Sequence, residues 1–224
     1  MTRSFSVLNL LTVMVFVAIG AAALLIAIQG PTVPLPLHFS TGGAVDRWGT
    51  REDVGRLLAI LAGVGFLVAM GTGLAIRRHP ADSSRARGLR VAQAIVLIGF
   101  AGVAALILWT SLTSPGAAPP AGAHMAGLSL LFVAIGAFVG RVAPNPFVGV
   151  RTPWSYNSRL AWERSNRLAG RLFFFGGLVG LVAAPFAPQP FGMTALIIGV
   201  LIAAAWSVVE SWRVWKSDPD RQPF

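Results

Sequence analysis

The chain has no cysteine, so neither a disulfide framework nor thiolate metal ligands are available to it. Charge is scarce as well: 12% of residues are charged and 55% hydrophobic, where a soluble domain devotes about a quarter of its residues to charge. A mainly soluble architecture is thereby excluded. Acidic residues are fewer still, 8 against 18 basic ones, and none lies in the middle of an apolar run. That absence argues against an ion or proton pathway, which intramembrane ionisable residues usually mark. There is also no nucleophile motif, carboxylate pair or phosphate-binding loop. The chain is accordingly read as non-enzymatic and without a cofactor.

What is present is a series of apolar runs, at 6–28, 55–76, 91–112, 123–142, 172–187 and 191–210, in which any charge (Arg56, Arg141, Glu210) lies near an end. Each is judged against the roughly 20 residues needed to cross a hydrocarbon core about 30 Å thick. All six read as helices, because a backbone in lipid must satisfy its own hydrogen bonds. The expected fold is an all-α membrane protein, a six-transmembrane-helix bundle. The run at 172–187 is short, with Pro185 kinking its end. The first run is longer than the 7–15 residues of a signal-peptide core and is read as an uncleaved helix.

The basic residues set an orientation. With the N-terminus inside, the inner segments hold 15 of the 18, and the outer ones keep only Arg47, Arg51 and Arg56, balanced by Asp46, Glu52 and Asp53. Cytoplasmic loops carry such an excess, so both termini are expected in the cytoplasm. The net charge of +10 then faces anionic headgroups, and membrane lipids replace nucleic acid as the expected partner. The polar tail, 217–224, reads as disordered.

Two segments outside the runs are long enough to carry function. In the outer one, 29–54, the string Val33-Pro34-Leu35-Pro36-Leu37-His38-Phe39 opens extended, because proline restricts itself and the residue before it. Glycines 42 and 43 with Asp46 and Trp48 then suit a compact ordered loop. Trp48 fits headgroup depth. His38 and Asp46, joined by His124, are candidate metal ligands; the alternative is that they hydrogen-bond the loop backbone. Thr50 suits an N-cap, with Glu52 and Asp53 in the first turn of the next helix.

The inner segment, 141–171, is the more unusual. Pro144, Pro146 and Pro153 exclude a continuous helix. Arg151, between Gly149 and Thr152-Pro153-Trp154, can be aimed by a fixed loop at a phosphate, a carboxylate or a helix C-terminus. From Ser158, a candidate N-cap, the pattern turns helical, with Arg159, Glu163 and Arg167 on one face and Trp162 and Asn166 on a neighbouring stripe. This predicts a cytoplasmic amphipathic helix on the membrane surface, which either anchors the bundle or docks a partner.

At these two segments the sequence resembles the SdpI family of bacterial membrane proteins, which pair a DUF1648-type extracytoplasmic domain with an SdpI-type C-terminal half. The first likeness is Leu35-Pro36-Leu37-His38-Phe39, then Gly42-Gly43 and Asp46-Arg47-Trp48-Gly49. The second is Asn145 through Gly149-Val150-Arg151-Thr152-Pro153-Trp154, then Trp162, Ser165-Asn166-Arg167 and Gly170. Arg159 departs from it, standing where the family often has an acid. The resemblance divides the chain into a DUF1648-like half at 1–76, a connector and third span at 77–122, an SdpI-like half at 123–216 and the tail.

The resemblance implies an immunity and signalling protein of the bacterial plasma membrane. It would sense a secreted hydrophobic peptide toxin through Pro36, His38, Phe39, Gly42, Asp46 and Trp48. It would dock a cytoplasmic transcriptional repressor through Asn145, Gly149, Arg151, Thr152, Pro153, Trp154, Trp162, Asn166 and Arg167. The alternatives are a small transporter or lipid-handling permease and, behind these, a membrane-embedded enzyme built on the two histidines and Asp46 or on Arg151.

Overall fold

The computed structural model describes residues 7–40, 44–78, 83–117 and 120–222. In chain order these form α1 (Val7–Gln29), β1 (Leu35–Phe39), β2 (Val45–Gly49), α2 (Arg51–Arg78), α3 (Ser83–Thr113), α4 (Ala121–Val139), α5 (Pro153–Tyr156), α6 (Arg159–Ala183) and α7 (Phe191–Ser217). Helix α1 ends before the Pro34-Leu35-Pro36 string, and α6 ends at Ala183, two residues before Pro185, which has no amide to continue the ladder. Gly42 lies outside the described residues, as do Arg3 and the connector residues 79–82.

Five helices, α1, α2, α3, α4 and α7, contain stretches long and apolar enough to cross a membrane, and the chain is a multi-pass membrane protein. The expected six is corrected at α6. The surface helix and the fifth span are one continuous helix, Arg159–Ala183, whose first half carries Arg159, Glu163, Arg164, Arg167 and Arg171. Only 172–183 is free of charge, which at about 1.5 Å per residue is about 18 Å, short of the ~30 Å hydrocarbon core.

The all-α expectation is corrected too. The segment between α1 and α2 is a two-stranded antiparallel sheet, with Leu35 opposite Gly49, Pro36 opposite Trp48, His38 opposite Arg47 and Phe39 opposite Val45. Register shifts flank His38, as a proline-containing strand pair allows. Thr50 then caps α2 reciprocally: the Asp53 amide donates to Thr50 Oγ1 at 3.3 Å, and the Thr50 amide donates to Asp53 Oδ2 at 2.8 Å.

Helices α1, α2 and α3 share one core, in which Phe16 lies edge-on to Phe66 and Phe100, and buried Leu35 brings β1 onto it. Its polar tie is Gln93, whose Nε2 donates to Thr12 Oγ1 at 2.9 Å and Asn9 Oδ1 at 3.1 Å. Such neutral hydrogen bonds join helices where lipid offers no competing water.

Helices α4 and α6 run antiparallel with their backbones in contact. A Cβ at Gly136 would lie 2.4 Å from Phe174 N and 2.8 Å from Gly170 O, and one at Gly177 would lie 2.7 Å from Ser129 O. The close packing at Gly177 and Gly180 is therefore within the chain, whereas Gly176 and Gly63 face open space. Gly136→Ala is expected to cost about 1–3 kcal/mol through overpacking, read as a lower Tm in detergent. Gly63→Ala is expected to leave Tm unchanged or raise it, by at most the helix-propensity gain of about 1 kcal/mol.

Candidate functional site

The two segments singled out by sequence lie at opposite ends of the bundle. The β1–β2 hairpin sits with the α3–α4 connection: the Gly116 amide donates to the Pro34 carbonyl at 3.0 Å, and the rings of Phe39 and His124 are 4.3 Å apart. The loop after α4 lies at the other end, with Phe147 against Gly71 of α2 and Ala143 against Gly88 of α3.

In the hairpin, His38 Nδ1 is 2.6 Å from Asp46 Oδ1, and both side chains are exposed. They bond each other rather than the loop backbone. His124 does not join them. Its ring lies tilted against Phe39 and edge-on to Trp109, and among the described residues no three His, Asp or Glu side chains come together as a metal would require. The metal triad is thus not assembled. Pro36 is buried and pairs with Trp48, whose indole is exposed.

The loop 140–158 has almost no secondary structure to satisfy its backbone, and side chains do so instead. Asn145 is buried; its Oδ1 accepts from the amides of Phe147 and Val148, both at 2.8 Å, and its Nδ2 donates to the carbonyls of Ala143 and Val148. Tyr156 Oη donates to the Asn145 carbonyl at 2.7 Å. Burial raises the Tyr156 phenol above its ordinary value, against the opposing pull of Arg151, so it stays protonated to make that bond.

Gly149 has φ +116°, and a Cβ there would lie 2.5 Å from Asn166 Oδ1. Glycine fits on both counts. This close approach lets Asn166 Oδ1 accept from the Val150 amide at 2.8 Å, while its Nδ2 donates to the Trp162 carbonyl at 2.9 Å. Trp162, 1% exposed, donates Nε1 to the Val142 carbonyl at 2.7 Å. Thr152 and Ser155 form a reciprocal capping box at the start of α5. Ser158 caps α6, accepting from the Ala161 amide at 2.9 Å, as the sequence suggested.

The predicted docking residues therefore divide. Asn145, Thr152, Trp162 and Asn166 are buried and hold the loop. Arg151, Pro153 and Arg167 are exposed, and Gly149 and Trp154 are half-buried. The Arg151 guanidinium donates to the Pro146 carbonyl, which sets its direction. Arg159 and Arg167 flank Glu163 at 3.8 and 3.5 Å on the exposed face of α6, pairs worth only a few tenths of a kcal/mol each.

Sequence reasoning missed two tethers to α7. Thr152 Oγ1 and Ser211 Oγ are 2.8 Å apart, and Ser158 Oγ donates to Asp218 Oδ2. The partners lie 59 and 60 residues apart, so no local pattern announces them. Over its described residues, 217–222, they also correct the reading of the tail as disordered: Asp218 is buried, and Arg221 lies over the Trp215 ring at 4.8 Å.

Residues 141–211 match the SdpI/YfhL protein family. The matched stretch is about a third of the chain. It runs from the first residue after the α4 turn to the Ser211 tether, so the SdpI/YfhL segment coincides with the hydrogen-bonded loop and the two helices that hold it. The match lends no support to the DUF1648-type likeness of residues 1–76. No curated protein and no solved structure matches the chain.

Two outcomes are expected of the loop. Asn166→Ala leaves the Val150 amide unpaired, at a cost of about 1–3 kcal/mol, and hydrogen exchange should quicken across 145–157. Gly149→Ala should do the same, through positive φ and collision with Asn166. Arg151→Ala, removing an exposed side chain, should leave that protection nearly unchanged.

Proposed function

We propose that the protein is a non-enzymatic membrane receptor of the immunity type. Its hairpin meets a hydrophobic peptide toxin on the extracytoplasmic side, and its SdpI/YfhL loop docks a transcriptional repressor in the cytoplasm. The observation that carries this reading is the division of the loop. Side chains of the loop and of α6 hold its backbone at Val142, Phe147, Val148 and Val150, and Arg151 is left outside with its direction set by the Pro146 carbonyl. A bundle anchor needs no such construction, whereas a preorganised guanidinium suits recognition of a carboxylate on a protein partner.

Orientation rests on the distribution of basic residues, which puts the loop end inside. Helix α2 gives the two ends a physical connection. It starts at the Thr50 cap directly after β2 and passes Gly71, where a Cβ would lie 3.1 Å from the Phe147 ring. A toxin reports inward only if it binds one arrangement of this helix more tightly than another. A transporter reading is weaker, because the buried polar cluster of Asn9, Thr12 and Gln93 is neutral and offers no proton carrier.

Quantitative mass spectrometry of membrane fractions tests the docking. Arg151→Ala, at unchanged abundance of the protein, is expected to shift one DNA-binding protein from the membrane to the soluble fraction. Identical membrane proteomes would sink the docking role. On the other face, His38→Ala and Asp46→Ala are each expected to abolish protection of cells challenged with the secreted peptides of a competing strain, and retained protection removes the hairpin from toxin recognition.

A further inference from the structure

A groove of about 820 Å³ runs between α6 and α7. Its floor is made by glycines. Gly180 and Gly192 are closed over by Leu196, Ser129 and Ala187, while Gly176 and Gly199, also on its lining, have nothing within 4 Å of a built Cβ. From Trp206 to Phe191 the α7 wall extends about 22 Å at ~1.5 Å per residue, a large part of a hydrocarbon core about 30 Å thick.

Its chemistry is one-sided. Arg171 is the one charged residue that lines it, and apart from the Trp206 indole the other lining side chains are apolar. Those two lie at the same end. The site of a Gly180 Cβ is 2.8 Å from Leu196 Cδ1; from that contact Arg171 is nine residues along α6 and Trp206 ten along α7, in the antiparallel sense. Among the described residues Arg171 makes no ion pair or hydrogen bond, although the neighbouring basic residues Arg159 and Arg167 share Glu163, and Arg213 pairs with Glu210. A guanidinium at the edge of an apolar slot needs an anion, and it matches phosphate in two-pronged geometry.

We propose that this groove binds a phospholipid of the surrounding membrane, with one acyl chain along the glycine floor and its phosphate on Arg171, and that it selects anionic lipids over zwitterionic ones. A tail brings no amide groups to be satisfied, so it fits a slot with one polar end better than a peptide does. The indole of Trp206 sits beside the headgroup, at the depth such rings prefer. A zwitterionic headgroup carries its own cation to the arginine, whereas phosphatidylglycerol does not, and this sets the preference.

The test uses the full chain in phosphatidylcholine nanodiscs doped with a photoactivatable-tail probe, either phosphatidylglycerol or phosphatidylcholine with the same chains. The expected result is several-fold more labelling of peptides spanning 172–206 from the phosphatidylglycerol probe. Arg171→Gln, which removes no hydrogen bond or ion pair among the described residues, should bring the two probes level. Gly176→Leu combined with Gly199→Leu should abolish labelling from both at unchanged Tm. Equal labelling of the wild-type protein by the two probes overturns the selectivity. Labelling undiminished in the filled groove overturns the site, and Arg171→Gln gives an independent reading should the double variant fold poorly.

Discussion

A loop with little regular structure must find donors and acceptors elsewhere, and here they reach out from α6 and from within the loop itself. The carboxamide of Asn166 joins the Val150 amide to the Trp162 carbonyl one turn earlier, and it can do so only because Gly149 has no Cβ. Around that bridge the Trp162 indole fixes Val142, and Asn145 closes the turn through Val148. An unpaired buried amide costs about 1–3 kcal/mol, so the loop has one shape rather than many. The direction of Arg151, and whatever that residue contacts, follows from this.

The same helix carries the second constraint. Because α6 approaches α4 at backbone distance through Gly136, Gly170 and Gly177, the packing gained along this seam is van der Waals contact and not burial from water, as helix association in lipid demands. The opposite face of α6, where Gly176 meets nothing, opens the groove against α7. One helix thus holds the loop and seals the bundle along one face, through Trp162, Asn166, Gly170 and Gly177, and lines the groove with another. Its charged first half and apolar second half follow from these duties, and they explain why it is not among the five helices apolar enough to cross.

Much of this was legible in the residues. The apolar runs located the helices, the prolines located their ends, and the caps at Thr50 and Ser158 were readable from residue type. The loop's unusual composition marked it as a site. The roles within it were not readable, because Trp162 and Asn166 look equally suited to a surface stripe and to a buried support, and helical periodicity cannot say which face meets a loop of the same chain. The hairpin was likewise hidden, since prolines announce extension but not pairing. His38 and Asp46 were visible as a pair, while the exclusion of His124 required knowing that Phe39 and Trp109 pack against it.

By itself the sequence determined the solvent of this protein and the places where helices can exist, because the transfer of apolar runs and charges into lipid depends on composition and length alone. Only the tertiary structure decided that α6 is one continuous helix, that Ser211 and Asp218 tie the end of α7 to the loop, and which motif residues face outward. Those outcomes rest on contacts between segments some 60 residues apart and on backbone approaches set by missing Cβ atoms, and neither is a property of any local stretch of chain.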